Sequence, residues 1–311
     1  MTGECSMPDS VPVWLDTDIG SDIDDAVCLA YLLAEPRCKL AGISTVTGEA
    51  QKRAMLADAI CKAAGRQDVH IWSGAERPLL LPQRQLAAPQ AEVLARWQHQ
   101  DRFEPYEAVR NLRAAVHKHP GKITLLTIGP LTNVGLLFAL DPETPKLLKR
   151  LVMMAGKFFE PNHLEWNASG DPHATAIVFS SDVPEVCVIG LDVTLKCRLS
   201  AQECRQRFRG GPLDTVADMA EVFFRDRDEI TFHDPLAAAC VFEPDICAYK
   251  RGRVRVEVDE APLLGQTLFR ESEDGPHLVA QEVDVERFFK RYLSTIQRFQ
   301  RGTSGVGSSP G

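Results

Sequence analysis

The chain has 311 residues, 44% of them hydrophobic, and a formal net charge of −8. That length supports one large core or two ordinary ones, and the interspersed acidic and basic residues argue against nucleic acid or a membrane surface as the main partner. Nine cysteines, an odd number with no C-x-x-C pair, argue against a disulfide framework or a zinc ribbon.

The first ten residues have neither a basic start nor an apolar run, so no secretory signal is expected, and no stretch is long and apolar enough to cross a bilayer. A reduced, cytoplasmic protein follows as the expectation. Residues 11–16 read as a buried strand, and 25–35 as a helix stopped by Pro36. Residues 39–46 read as a strand, 51–65 as a helix ending on glycine, and 69–74 as a third strand. From Leu79 to Arg110 the sequence is polar and irregular, either a lid or a surface excursion. Strands are predicted at 123–129, 150–156 and 186–193, with a helix at 131–140. Short apolar strands alternating with helices indicate an α/β fold: an open, mostly parallel, Rossmann-like sheet with helices on both faces. Residues 253–259, 267–272 and 277–284 follow one another without a helix, predicting a small antiparallel C-terminal addition, and 286–299 predict a closing helix. No repeat or linker divides the chain, so a single domain over 1–301 is expected, with 302–311 as a disordered tail.

The chemistry concentrates after the first strand. Asp16, Asp18, Asp22, Asp24 and Asp25 fall within ten residues, between a strand and a helix. Ligands bind beyond the carboxyl ends of parallel strands, and several carboxylates without thiolates or clustered imidazoles suit a hard divalent cation, Ca²⁺ or Mg²⁺. Part of this acidity has a plainer use, because carboxylates at the start of a helix are favoured by its dipole. An EF-hand loop fits badly, since no helix precedes the aspartates. Later, His233 and Asp234 stand before Pro235 and an apolar helix. Asn162, Glu165 and Asn167 surround Trp166 after another strand, a set suited to a polyhydroxylated ligand. Gly129-Pro130 turns the chain sharply, which can leave the Ile128 carbonyl pointing out of the sheet.

Four motifs in order, D-T-D…D-D-A, G-P-L-T-N, E-W-N…D-P and H-D-P, resemble the inosine–uridine-preferring nucleoside hydrolases over roughly residues 13 to 245. The resemblance implies Ca²⁺-dependent hydrolysis of a ribonucleoside N-glycosidic bond, giving ribose and free base. It implies Asp18, Asp25, Asp234 and the Ile128 carbonyl as metal ligands, with Asp18 also the base that activates a metal-bound water. Asp24, Glu165, Asn167 and Asn162 would hold the ribose, His233 would serve the leaving base, and Asp16 would support the loop. A small-molecule nucleoside or ribosyl substrate and a homodimer or homotetramer are implied as well. The carry-over meets three departures. The acidic loop is two residues longer than the common family form, so Asp22 competes for one role. Glu49 stands where asparagine is common, beside the sugar or metal. A histidine–glycine–aspartate–glycine run is missing between Pro78 and Asp101. Two rivals are a non-catalytic nucleoside- or sugar-binding homologue and a Mg²⁺ phosphatase of the haloacid dehalogenase type, which Asp16-Thr17-Asp18 imitates.

Overall fold

The strands are laid down in the order that parallel α/β pairing demands. In the computed structural model, which describes residues 10–160 and 163–303, β1 (Val11–Thr17), β2 (Cys38–Thr45), β3 (Ile71–Ser73), β4 (Thr124–Thr127), β5 (Arg150–Met154) and β6 (Val186–Ile189) form a parallel sheet in the order β3-β2-β1-β4-β5-β6. This is the doubly wound order. The chain leaves β1 on one side for β2 and β3, then crosses to the other side as β4. The reversal opens a crevice at the carboxyl ends of β1 and β4.

A short antiparallel pair, β7 (Arg198–Ser200) and β8 (Glu229–Thr231), forms a separate sheet. The predicted C-terminal addition is present as β9 (Cys247–Val256), β10 (Thr267–Glu271) and β11 (His277–Val283). These are antiparallel to one another, but β11 pairs parallel with β6, so they extend the main sheet to nine strands.

Side-chain alternation along the strands divides the interior into two cores. Val13, Leu15, Leu126 and Val152 face α1 (Asp24–Ala34), α2 (Ala50–Ala63) and the helices at Pro212–Phe223, His233–Phe242 and Val285–Thr303. Trp14, Leu125, Leu151 and Met153 face the helices at Ala108–Lys118, Thr132–Leu140 and Pro172–Phe179. α1 is buried along nearly its whole length, which explains its near-continuous apolar sequence. No described helix is long and apolar enough to cross a membrane. The closing helix continues to Thr303, two residues into the expected tail, and the rest of that tail, 304–311, lies outside the described residues.

Candidate active site

The acidic loop sits where the strand order reverses. Asp18 follows β1 directly, and the Ile128 amide after β4 donates to the Asp16 carbonyl at 2.9 Å, holding the two strand ends together. Asp24 and Asp25 form the first turn of α1, and Asp234 lies in the first turn of the helix His233–Phe242. The Asp234 amide donates to Asp24 Oδ2 at 3.2 Å, locking the two helix starts to each other. Carboxylate oxygens of Asp24, Asp25 and Asp234 all lie within 4.8 Å of one another, and all three side chains are buried. A cavity of about 580 Å³ opens above them, lined also by Asp18, Glu165, Asn167 and His233.

The extra loop length places Asp24 and Asp25 in the buried cluster, while Asp22 is exposed at the cavity rim and accepts from the Ile23 amide. Asp18 lines the same cavity but is not one of the three carboxylates gathered within 4.8 Å. Its Oδ1 lies 2.7 Å from where a Cβ on residue 129 would stand, so only glycine leaves room for this carboxylate. Asp16 points into the sheet and accepts from the Ser44 hydroxyl and, at 2.8 Å, from Asn133 Nδ2.

On the far wall, Glu165 caps the short helix Trp166–Gly170, accepting from the Asn167 and Ala168 amides at 2.8 Å and from the Gly156 amide at 2.9 Å. Asn167 Nδ2 donates to the Ile128 carbonyl at 2.9 Å and to the Met154 carbonyl at 3.1 Å. One lone pair of the Ile128 oxygen is therefore in use and one is left. Asn162 lies outside the described residues. His233 Nδ1 meets Thr194 Oγ1 at 2.7 Å.

The electrostatics follow from burial. Desolvation raises the Asp18 carboxyl to about 6, against the pull of Arg53, with Asp22 and Glu165 adding repulsion. Desolvation, followed by repulsion from neighbouring carboxylates, pushes Asp24, Asp25 and Asp234 well above the usual range. Burial also raises Glu165, in spite of its backbone hydrogen bonds. Among the described residues no lysine or arginine lines the cavity. A buried carboxylate cluster without a facing cation matches the oxygen donor set of a hard divalent ion, so the residues present fit such a metal. His233 departs from the expected imidazole poised near neutral pH. Burial, with the charge of Arg198, lowers it to about 4.

Three parts of the site were not read from the sequence. Arg53, fully buried, donates to main-chain carbonyls behind the acidic loop. Its signal was a cation on the apolar face of α2, in step with Ala50, Ala54 and Ala57. The segment 85–89 forms one wall, and Gln90, also fully buried, ties that wall to the loop. Glu49, weighed as a sugar or metal neighbour, instead turns to Lys52 and the Ala88 amide.

An open, mostly parallel sheet whose buried carboxylates converge at the switch point defines an α/β protein with its ligand site in that crevice. The family model "Inosine-uridine preferring nucleoside hydrolase" matches residues 13–290. The chain belongs to that family, and is a nucleoside hydrolase by that membership. It is 29% identical to Uridine nucleosidase 1 of Arabidopsis thaliana, over 88% of this chain and 89% of that protein. It is 31% identical to Non-specific ribonucleoside hydrolase RihC of Klebsiella pneumoniae, over 89% of this chain and 95% of that one. Among solved structures, the purine-preferring ribonucleoside hydrolase from Gardnerella vaginalis superposes with a TM-score of 0.81 at 25% identity, covering 93% of this chain and 99% of that chain.

Proposed function

We propose that this protein hydrolyses the N-glycosidic bond of a ribonucleoside, releasing ribose and free base, with Ca²⁺ as its metal. The observation that carries the reading is the convergence of buried Asp18, Asp24, Asp25 and Asp234 on one cavity at the β1/β4 switch point. Asp18, Asp25, Asp234 and the free lone pair of the Ile128 carbonyl would hold the ion. When bound, the ion supplies Lewis-acid polarisation and a template for the sugar hydroxyls and the attacking water.

The chain's own residues do the rest. Breaking a ribosyl C–N bond builds oxocarbenium-like charge on the sugar, and carboxylates facing the ring stabilise that charge. Asp18 lines the cavity and, as a carboxylate held ionised beside the cation, would take a proton from water in the transition state. Asp24, Glu165 and Asn167, with Asn162, would bind the ribose hydroxyls. Glu165 and Asn167 are already fixed by backbone hydrogen bonds, which limits the order lost on binding. His233, neutral at physiological pH, offers the departing base a hydrogen bond rather than a stored proton. Its replacement by alanine therefore costs least for bases that leave unaided. The free thiols of the described cysteines support a cytoplasmic setting.

Incubation of the protein with Ca²⁺ and a panel of purine and pyrimidine ribonucleosides tests this reading. Ribose and base should appear one for one, and a chelator should stop their release. Bound nucleoside without ribose would leave the non-catalytic homologue. Release of phosphate from esters, without nucleoside cleavage, would select the phosphatase.

A further inference from the structure

The acidic loop carries five carboxylates, yet the nearest buried cation touches none of them. Arg53 is fully buried and spends its donors on main-chain oxygens and one hydroxyl. Nε reaches the Gly48 carbonyl at 2.8 Å, Nη1 the Asp18 and Ile19 carbonyls and Ser21 Oγ, and Nη2 the Ala87 carbonyl at 3.1 Å. A guanidinium, with five donors spread over three nitrogens, can serve five acceptors on three segments in this way; an ammonium, with three donors on one nitrogen, cannot.

The three segments are two neighbouring parts of the cavity lining and the turn after β2. Residues 18–21 present Asp18 to the cavity, and 85–89 line it beside them, with Ser21 Oγ donating to the Ala87 carbonyl at 3.3 Å. Independent ties run in parallel. The Gln90 amide donates to the Gly20 carbonyl at 3.0 Å, and its Nε2 donates to the carbonyls of Ser21 and Asp22 at 3.1 and 3.0 Å. Glu49 accepts from the Ala88 amide at 2.9 Å. The turn is shaped for close approach: a Cβ on Gly48 would stand 2.5 Å from the Gln85 carbonyl and 2.7 Å from that of Leu86. Thr47 and Glu49 on either side hold left-handed backbone, at φ 79° and 60°. Such strain persists only where surrounding contacts over-determine it.

From this geometry we infer that Arg53 is a positioning residue that fixes the acidic loop and the 85–89 wall relative to each other, and so sets both the aim of Asp18 and the shape of the wall beside it. With the Asp18 carbonyl held by Arg53, the carboxylate is left to face the cavity. The catalytic part of this inference rests on the proposed nucleoside hydrolysis; the mechanical part does not.

Hydrogen exchange on the whole chain, with steady-state kinetics, tests it in Arg53→Lys, which keeps the charge and loses the fork. Amides in 18–23 and 85–90 should exchange at least about tenfold faster than in the wild type, while those of β4 and β5 stay protected. KM should rise more than kcat falls, and the preference between purine and pyrimidine nucleosides should shift. A misplacement of about 1 Å can cost on the order of 10²-fold, so kcat/KM should drop by at least about tenfold. If Arg53→Lys does not fold, the Ser21→Ala/Glu49→Ala double variant removes two outer ties and should show the same exchange pattern at smaller size. A folded variant with unchanged exchange in 85–90, unchanged KM and unchanged base preference, and only a lower melting temperature, would overturn the inference. If the wild type cleaves no nucleoside, the functional reading falls, and the exchange data still decide whether Arg53 is the clamp.

Discussion

A carboxylate deprived of water and placed beside others resists ionisation, and that single fact organises the residue scale of this protein. Burial raises the carboxyls of Asp18, Asp24, Asp25 and Asp234, and a divalent cation held among them would favour their ionised forms. Gly129 is the silent partner of Asp18. Gly129→Ala would press a methyl against its Oδ1, so kcat/KM should fall at least about tenfold, from displacement alone. Unaltered kinetics in a folded Gly129→Ala protein would mean that the carboxylate has room to spare. Far from the site, His277 is buried and neutral, accepting from the Val254 amide through Nδ1 and donating through Nε2 to the Phe179 carbonyl. Burial lowers it to about 4, against about 6.5 in the unfolded chain. The unfolded state therefore gains protons first as pH falls. Stability held above pH 6.5 should be lost between about 6.5 and 4, by up to about 1.4 kcal/mol per pH unit. Urea midpoints of wild type and His277→Gln should converge over that window; parallel curves would contradict the assignment. The aspartates were legible in the sequence because their number and spacing have few structural uses. Arg53 and Gln90 were not, because nothing in residue type says that a polar side chain has turned inward.

At the scale of elements, α1 carries the site at its start and an anchor at its end. Glu35, just past the helix, pairs with Arg37 at 2.9 Å and with Arg291 on the closing helix, and Tyr31 stacks on Tyr292 at 5.6 Å. Glu35 is buried, whereas both arginines keep some solvent. Glu35→Ala should cost about 2 kcal/mol, less than for a fully buried pair, and equilibrium unfolding in urea would measure it. A loss within error would show that the pair is screened. The alternation that built β1 to β6 and α1 was legible because each element is an apolar run, several of them closed by a breaker such as Pro36, Gly65 or Gly129. The helix Ala201–Arg207 was missed although Ser200 and Glu203 form a capping box, a signal written in the sequence. The parallel pairing of β11 with β6 was not legible, since the strands are about 90 residues apart and nothing local encodes the partner.

The whole molecule turns these pieces into a working arrangement through strand order. Because β1 sits between β2 and β4, the loops after β1 and β4 open onto one crevice, which a sequential sheet would not provide. Both sheet edges are blunted. β3 has three residues, and Arg270 on β10 stands directly opposite Arg253 on β9. The central question is whether the acidic crevice is where ribosides are cleaved. The direct measurement is the rate of ribose release by wild type and Asp18→Asn, each at a Ca²⁺ concentration shown by titration to saturate it. Asparagine keeps the size and one oxygen but cannot take the proton, so turnover should fall by at least about 10²-fold with metal still bound. Near-wild-type turnover in the calcium-saturated variant would remove Asp18 from the chemistry and contradict the account.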